Sequence, residues 1–216
     1  MFKLYGATKF DLSPKNASIH FLRLKEISLI SACASTFSAD FDEAAYARQY
    51  FLIGGSGRFS AGRESGEISV TLPSPIISAY TPLRLEYGEC DQLVLHVANE
   101  VLKRYLAVLI GQKVNREIVF ENDTAAAPAL TNLRRAVFHF ASDYNARGHN
   151  FSDLLVAETE RMLVMKFLMT NWHNYTHLLL REPLKATRSV VGKVEEFIRQ
   201  IGISPSILRR CLPWQT

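Results

Sequence analysis

Hydrophobic and polar positions alternate through much of the first 97 residues. In SIHFLRLKEISLISA at 18–32, Phe21, Arg23 and Lys25 interleave with His20, Leu22 and Leu24. A period of two predicts a strand. QYFLIGGSGRFSAG at 49–62 is an apolar run followed by glycines, where free φ fits a hairpin or a bulge. EISVTLPSP at 67–75 places Ile68, Val70 and Leu72 on one face, and Pro73 and Pro75 end it. PLRLEY at 82–87 sets Leu83, Leu85 and Tyr87 against Arg84 and Glu86, and QLVLHV follows at 92–97. Strands spaced about ten residues apart, with turn residues between them, predict a β-sandwich or barrel.

After Val97 the period lengthens. Asn99 is placed to cap a helix through Val101, Leu102, Tyr105, Leu106 and Leu109, with Gly111 as its stop. Residues 128–145 repeat the helical spacing through Leu130, Leu133, Val137, Phe140 and Tyr144. Ser152 is placed to cap a third helix carrying Leu154, Leu155, Glu158, Met162, Leu163 and Phe167. A fourth stretch covers about 188–200. Strands first and helices second make an α+β fold of antiparallel strands.

Composition narrows the picture. With 48% hydrophobic and 21% charged residues, the chain excludes the disordered and collagen-like classes. No apolar run is long enough to span a bilayer, and MFKLYGATKFDLSPK has no signal core, so a cytoplasmic protein with no membrane partner is expected. Cys33, Cys90 and Cys211 give neither a disulfide framework nor CxxC spacing. Residues 181–216 hold seven basic and three acidic residues, whereas residues 1–180 hold 18 of each sign. A neutral body with a basic end suggests a ligand-binding or protein-binding module joined to something that meets phosphates.

Enzyme motifs mostly fail. GGSG at 54–57 is neither a nucleophile elbow nor a dinucleotide fingerprint. Cys90 and His96 have no third orienting group. His173 and His177 in HNYTH have metal-ligand spacing on a helix, and only Glu158 or His149 could join them, but the glutamate of H-E-x-x-H is missing. His20 and His96 are the only histidines of the strand region and stand at its opposite ends. No catalytic residue, metal or cofactor is therefore expected, and no enzyme. In ISPSILRR at 203–210, Ser204 and Pro205 open a helix, Ser206 stands at its front, and Arg209 and Arg210 follow. Small polar residues ahead of arginines are the arrangement of a DNA recognition helix.

Taken in order, these pieces resemble the effector-sensing part of AraC/XylS-type bacterial transcription regulators. The resemblance rests on LIGGSGRFSAG, TPLRLEY, QLVLHV, HVANEVLKRYLAVLIG and, most specifically, NWHNYTHLLL at 171–180. SVVGKVEEFIRQ and IGISPSILRR resemble the opening of that family's DNA-binding domain. The resemblance implies a cupin-like barrel that serves as a small-molecule pocket, with an aromatic carboxylate as one inducer class. It implies pocket residues among Phe21, Tyr50, Leu52, Arg58 and Phe59. It implies a dimerisation segment carrying Leu154, Leu155, Glu158 and Met162, and operator contacts from Ser204, Ser206, Arg209 and Arg210. Residues 1–180 would be the sensing and dimerisation domain, and 181–216 a linker with an incomplete helix-turn-helix. The sequence departs from the family there, because the helix that supports the recognition helix is missing. The expected partners are a small effector, a second copy or a full-length homologue in a mixed dimer, and operator DNA only with a complete helix-turn-helix. A cupin-type metal enzyme and a nonfunctional remnant are the alternatives.

Overall fold

The computed structural model describes residues 7–12, 17–72, 74–122, 127–147 and 152–180. The chain divides into two units, 1–179 and 180–216, and the first is described below. The stretch predicted helical at 188–200 and the basic segment at 203–210 lie outside the described residues. Among those described, no helix is long and apolar enough to cross a membrane.

Among the described residues, eight strands form one antiparallel sheet: β1 (Ala7–Leu12), β2 (Ser18–Arg23), β3 (Ile27–Ala34), β4 (Phe37–Phe41), β5 (Tyr46–Ala61), β6 (Glu64–Ser69), β7 (Ile76–Ile77) and β8 (Leu83–Ala98). Four helices follow: α1 (Asn99–Ile110), α2 (Ala127–Arg147), α3 (Asp153–Thr170) and α4 (Thr176–Leu179). The two long strands, β5 and β8, pair along their whole length. The other edge of β8 takes β4 in its first half and β3 in its second. The other edge of β5 takes β7 and β6.

Residues 18–32 are not one strand: they fold back after Arg23, with Arg23 opposite Ser28 and Leu24 N donating to Ile27 O. PLRLEY and QLVLHV are not two strands but the two halves of β8, which runs extended through Gly88–Asp91. GGSG is not a hairpin tip. Strand β5 continues through it with register shifts at Leu52/Gly54 and Ser56/Gly57, so the bulge alternative holds. Val70 and Leu72 lie beyond β6 and are exposed, while Ile68 is buried.

Two apolar clusters share the sheet because its central strands are buried on both faces. On β8, Leu93, Leu95 and Val97 join one cluster, and Leu83, Leu85, Tyr87, Cys90 and Val94 join the other. On β5, Ala47 and Phe51 face one way and Tyr50 and Leu52 the other. The first cluster takes in the helices through Leu102, Leu106, Leu133, Val137, Leu163 and Phe167. The second fills the inside of the barrel.

Helix α1 ends at Gly111 in the left-handed conformation, as its sequence predicts. Its N-cap is Ala98, however, and not Asn99, whose amide donates to Glu117 Oε2. Ser152 is the N-cap of α3, but its hydroxyl makes no capping bond. Two buried polar ties join α3 to the sheet. Glu160 Oε1 accepts Glu26 N at 2.6 Å and Ile27 N at 3.1 Å. Gln49 and Asn171 exchange amide hydrogen bonds in both directions, each 3.0 Å.

Candidate functional site

In a strand, every second side chain shares a face. Arg48, Tyr50 and Leu52 of β5 therefore stand together, opposite His96, Val94 and Gln92 of β8 in the pairing register. Except for Leu52, these residues line an apolar cavity of about 50 Å³ inside the barrel. Ile30 and Phe37 close other sides of it.

The cavity holds a buried cation. Arg48 is only 2% exposed. Its guanidinium lies 5.1 Å from the Phe41 ring centre and 5.0 Å from that of Tyr46, and Tyr46 stacks on His96 at 4.5 Å. Cation–π attraction offsets part of the cost of desolvating the charge. One long hydrogen bond runs from Nη2 to Asp42 O at 3.4 Å. Arg48 Nε and Nη1 have no acceptor, and Gln92 Oε1 has no donor. Buried polar groups are nearly always paired, so three orphan atoms on two residues that line one cavity call for an explanation.

Burial and then Arg48 hold the His96 imidazole down at about 3. Burial pushes the Tyr50 phenol up to about 12, against the opposing charge of Arg48 and a weak side-chain hydrogen bond between the two. At neutral pH the wall is thus a neutral imidazole, a neutral phenol and one fixed positive charge. Burial pushes the Cys90 thiol up to about 11, so Cys90 and His96 are each held in the uncharged form, the reverse of a thiolate–imidazolium pair.

The low His96 value has a consequence for acid stability. Above pH 6.5 the ring is neutral in both folded and unfolded chains. Below 6.5 the unfolded ring takes up a proton that the folded one refuses until about pH 3. Stability falls as pH falls through that window, by about 2 kcal/mol from His96 at pH 5. In urea unfolding, His96→Phe should lose this slope. An equal gap between wild type and variant at pH 7 and pH 5 would refute the assignment.

Of the pocket residues implied by the resemblance, Tyr50 lines the cavity. Leu52 and Phe59 are buried in the barrel-interior cluster but do not line it. Phe21 is 46% exposed on β2. Arg58 lies on the outer half of β5, about 4.0 Å from Glu67, with both side chains mostly in solvent. The apolar run in the sequence opens at Gln49, so Arg48 falls just outside the strand it predicts. The available signal was parity, since Arg48 falls in step with Tyr50 and Leu52.

The residues that the resemblance implies for dimerisation share an outward stripe of α3. Leu154 is 72% exposed, and Leu155, Glu158 and Met162 are exposed beside it. Met165 and Met169 extend the stripe, and Trp172 is exposed just beyond the end of the helix. The opposite side of α3, with Leu163, Val164 and Phe167, is in the core.

HNYTH is not a helical ligand pair. His173 is buried and bridges to Phe120, while His177 is exposed on the four-residue α4. Tyr175 N donates to His173 Nδ1 at 3.2 Å. Asn174 accepts from Val119 N and donates to Glu117 O, and the Tyr175 hydroxyl accepts from Arg116 N. The segment clips the 116–121 loop against the end of α3. Among the described residues, no three His, Cys, Asp or Glu are grouped to hold a metal ion.

No family model matches the chain, and no curated protein matches it in sequence. Solved structures do match. The AraC-like transcriptional activator CuxR is 11% identical with a TM-score of 0.52, covering 93% of this chain and 74% of its own. The cupin domain of Schizosaccharomyces pombe Cnp3 is 7% identical with a TM-score of 0.35, covering 46% and 74%. The fold is α+β and cupin-like. Pac13 from Streptomyces, a nucleoside dehydratase, is 9% identical with a TM-score of 0.34, covering 43% and 77%. This corrects the expectation that the chain is no enzyme. Cupin-fold enzymes stand among the similar structures, so the failed motif matches do not license that exclusion. At such low identity they assign no activity to this chain either.

Proposed function

We propose that this chain is an effector sensor of the AraC/XylS regulator type, with a small molecule held in the barrel and dimerisation through α3. The observation that carries the reading is the buried Arg48 guanidinium, incompletely partnered at the wall of the barrel cavity. Burying a charge without partners is costly, and such a site persists where a ligand supplies them. The cupin-like fold supports the reading, as does its likeness to an AraC-like activator. The apolar stripe of α3 is the surface assigned to the dimer, because exposed apolar patches of this kind mark protein interfaces. Residues 1–180 are assigned to sensing and dimerisation. Operator contact through Ser204, Ser206, Arg209 and Arg210 is assigned to 181–216 only where a complete helix-turn-helix is supplied.

Two measurements on the full chain test this together. Wild-type protein should sediment as a dimer, and Leu154→Glu combined with Met162→Glu should sediment as a monomer. Both positions are exposed, so the thermal midpoint should move little. In cells, deleting the gene should change a restricted set of transcripts, and the double variant should reproduce the deletion. A wild-type monomer, or transcripts indifferent to deletion, would sink the reading.

A further inference from the structure

We infer that the barrel cavity takes a small hydroxy-carboxylate, its anionic oxygens meeting Arg48 and its hydroxyl donating to Gln92. This deepens the sensor reading and rests on it. Three observations converge. Arg48 Nε and Nη1 are buried donors without acceptors, and Gln92 Oε1 is a buried acceptor without a donor. Both residues line one cavity. A ligand that answers all three atoms needs an anionic acceptor and a separate donor.

Charge favours an acid over water or a neutral ligand. Water accepts from an N–H but cannot neutralise a guanidinium, and in a dry site an ion pair is far stronger than in solution. Phe41 and Tyr46 cover the guanidinium and keep bulk water from it. The uncharged Tyr50 and His96 add no second charge to the wall.

Size sets the other limit. About 50 Å³ is roughly four times the room one water needs, which admits a ligand of only a few heavy atoms. The rest of the wall is aliphatic or aromatic, including Ile30, Val94 and Leu85, and suits a methyl-sized substituent. A three-carbon hydroxy acid fills this description, and an aromatic acid exceeds it.

The probes are lactate, propanoate, lactamide and benzoate, titrated calorimetrically into the full chain. Lactate should bind. Propanoate lacks the donor for Gln92 and should bind about tenfold more weakly. Lactamide lacks the charge and should bind about a hundredfold more weakly or not at all. Benzoate should not compete with lactate. Gln92→Leu should abolish the difference between lactate and propanoate while leaving propanoate unchanged, which also shows that the variant still folds. Lactamide binding as tightly as lactate, or benzoate displacing it, would overturn the ligand class and leave sensing in place. If no probe binds, the ligand class falls. The sensor reading falls only if the wild type is also monomeric and the transcripts ignore the deletion.

Discussion

Gly55→Ala should destabilise the protein by about 4 kcal/mol or more, measured by urea unfolding. Gly55 pairs with Cys90 between the two register shifts of β5 and has φ +83°, a conformation that costs other residues about 1 kcal/mol or more. A methyl group there would also lie 1.8 Å from the carbonyl oxygen of Glu89 and 2.5 Å from its carbon. Both contacts are backbone, so no rotamer relieves them. The β5–β8 ladder must open, and that ladder carries both halves of the barrel. Gly88→Ala is the matched control. It lies in β8, nothing stands within 4 Å of an added methyl, and the change should stay within about 0.5 kcal/mol. Equal midpoints for the two variants would show that the ladder around Gly55 rearranges freely.

Glu160→Leu should cost about 3 kcal/mol. The carboxylate is 1% exposed in the middle of α3, and one of its oxygens accepts two backbone N–H groups at the start of β3. Leucine has a similar size but no acceptor, so both donors lose their partner. An unmade buried hydrogen bond costs about 1–3 kcal/mol, which makes this loss larger than that of an ordinary surface contact. Glu160→Gln keeps an amide oxygen in the same place and should cost less than half as much. Amide hydrogen exchange at Glu26 and Ile27 supplies a local readout, with protection lost in the leucine variant. If the leucine variant unfolds at the wild-type midpoint, water already serves those donors.

How much of this was legible follows from what surrounds each residue. Leu83, Leu85 and Tyr87 alternate with exposed Arg84 and Glu86, so half of β8 could be read directly. The other half is buried on both faces. Its run from Gln92 to Val97 names a buried element but not a strand that continues across Gly88. Helices α1 and α2 were legible because a single stripe, such as Leu130, Leu133, Val137 and Phe140, meets the sheet. Strands β4 and β7 are too short to show a period. The site was harder. A charged residue reads as surface by default, and nothing local marks Arg48 as buried between two rings. Arg58, two residues from the second register shift, looked the better cation and lies in solvent. His173 and His177 had the right spacing in sequence, but the chain turns between them.

The reciprocal amide pair of Gln49 and Asn171 constrains how this sequence can drift. Each amide answers the other's donor and acceptor out of reach of water, and Asn171 also donates to Phe167 O at 2.9 Å. Replacing one partner alone strands the other, whereas replacing both with apolar groups leaves no orphan between them. Single substitutions at either position meet a barrier that the double change avoids. The two positions, 122 residues apart in sequence, thus behave as one heritable unit, and it joins the strand that carries Arg48 to the helix assigned to the dimer.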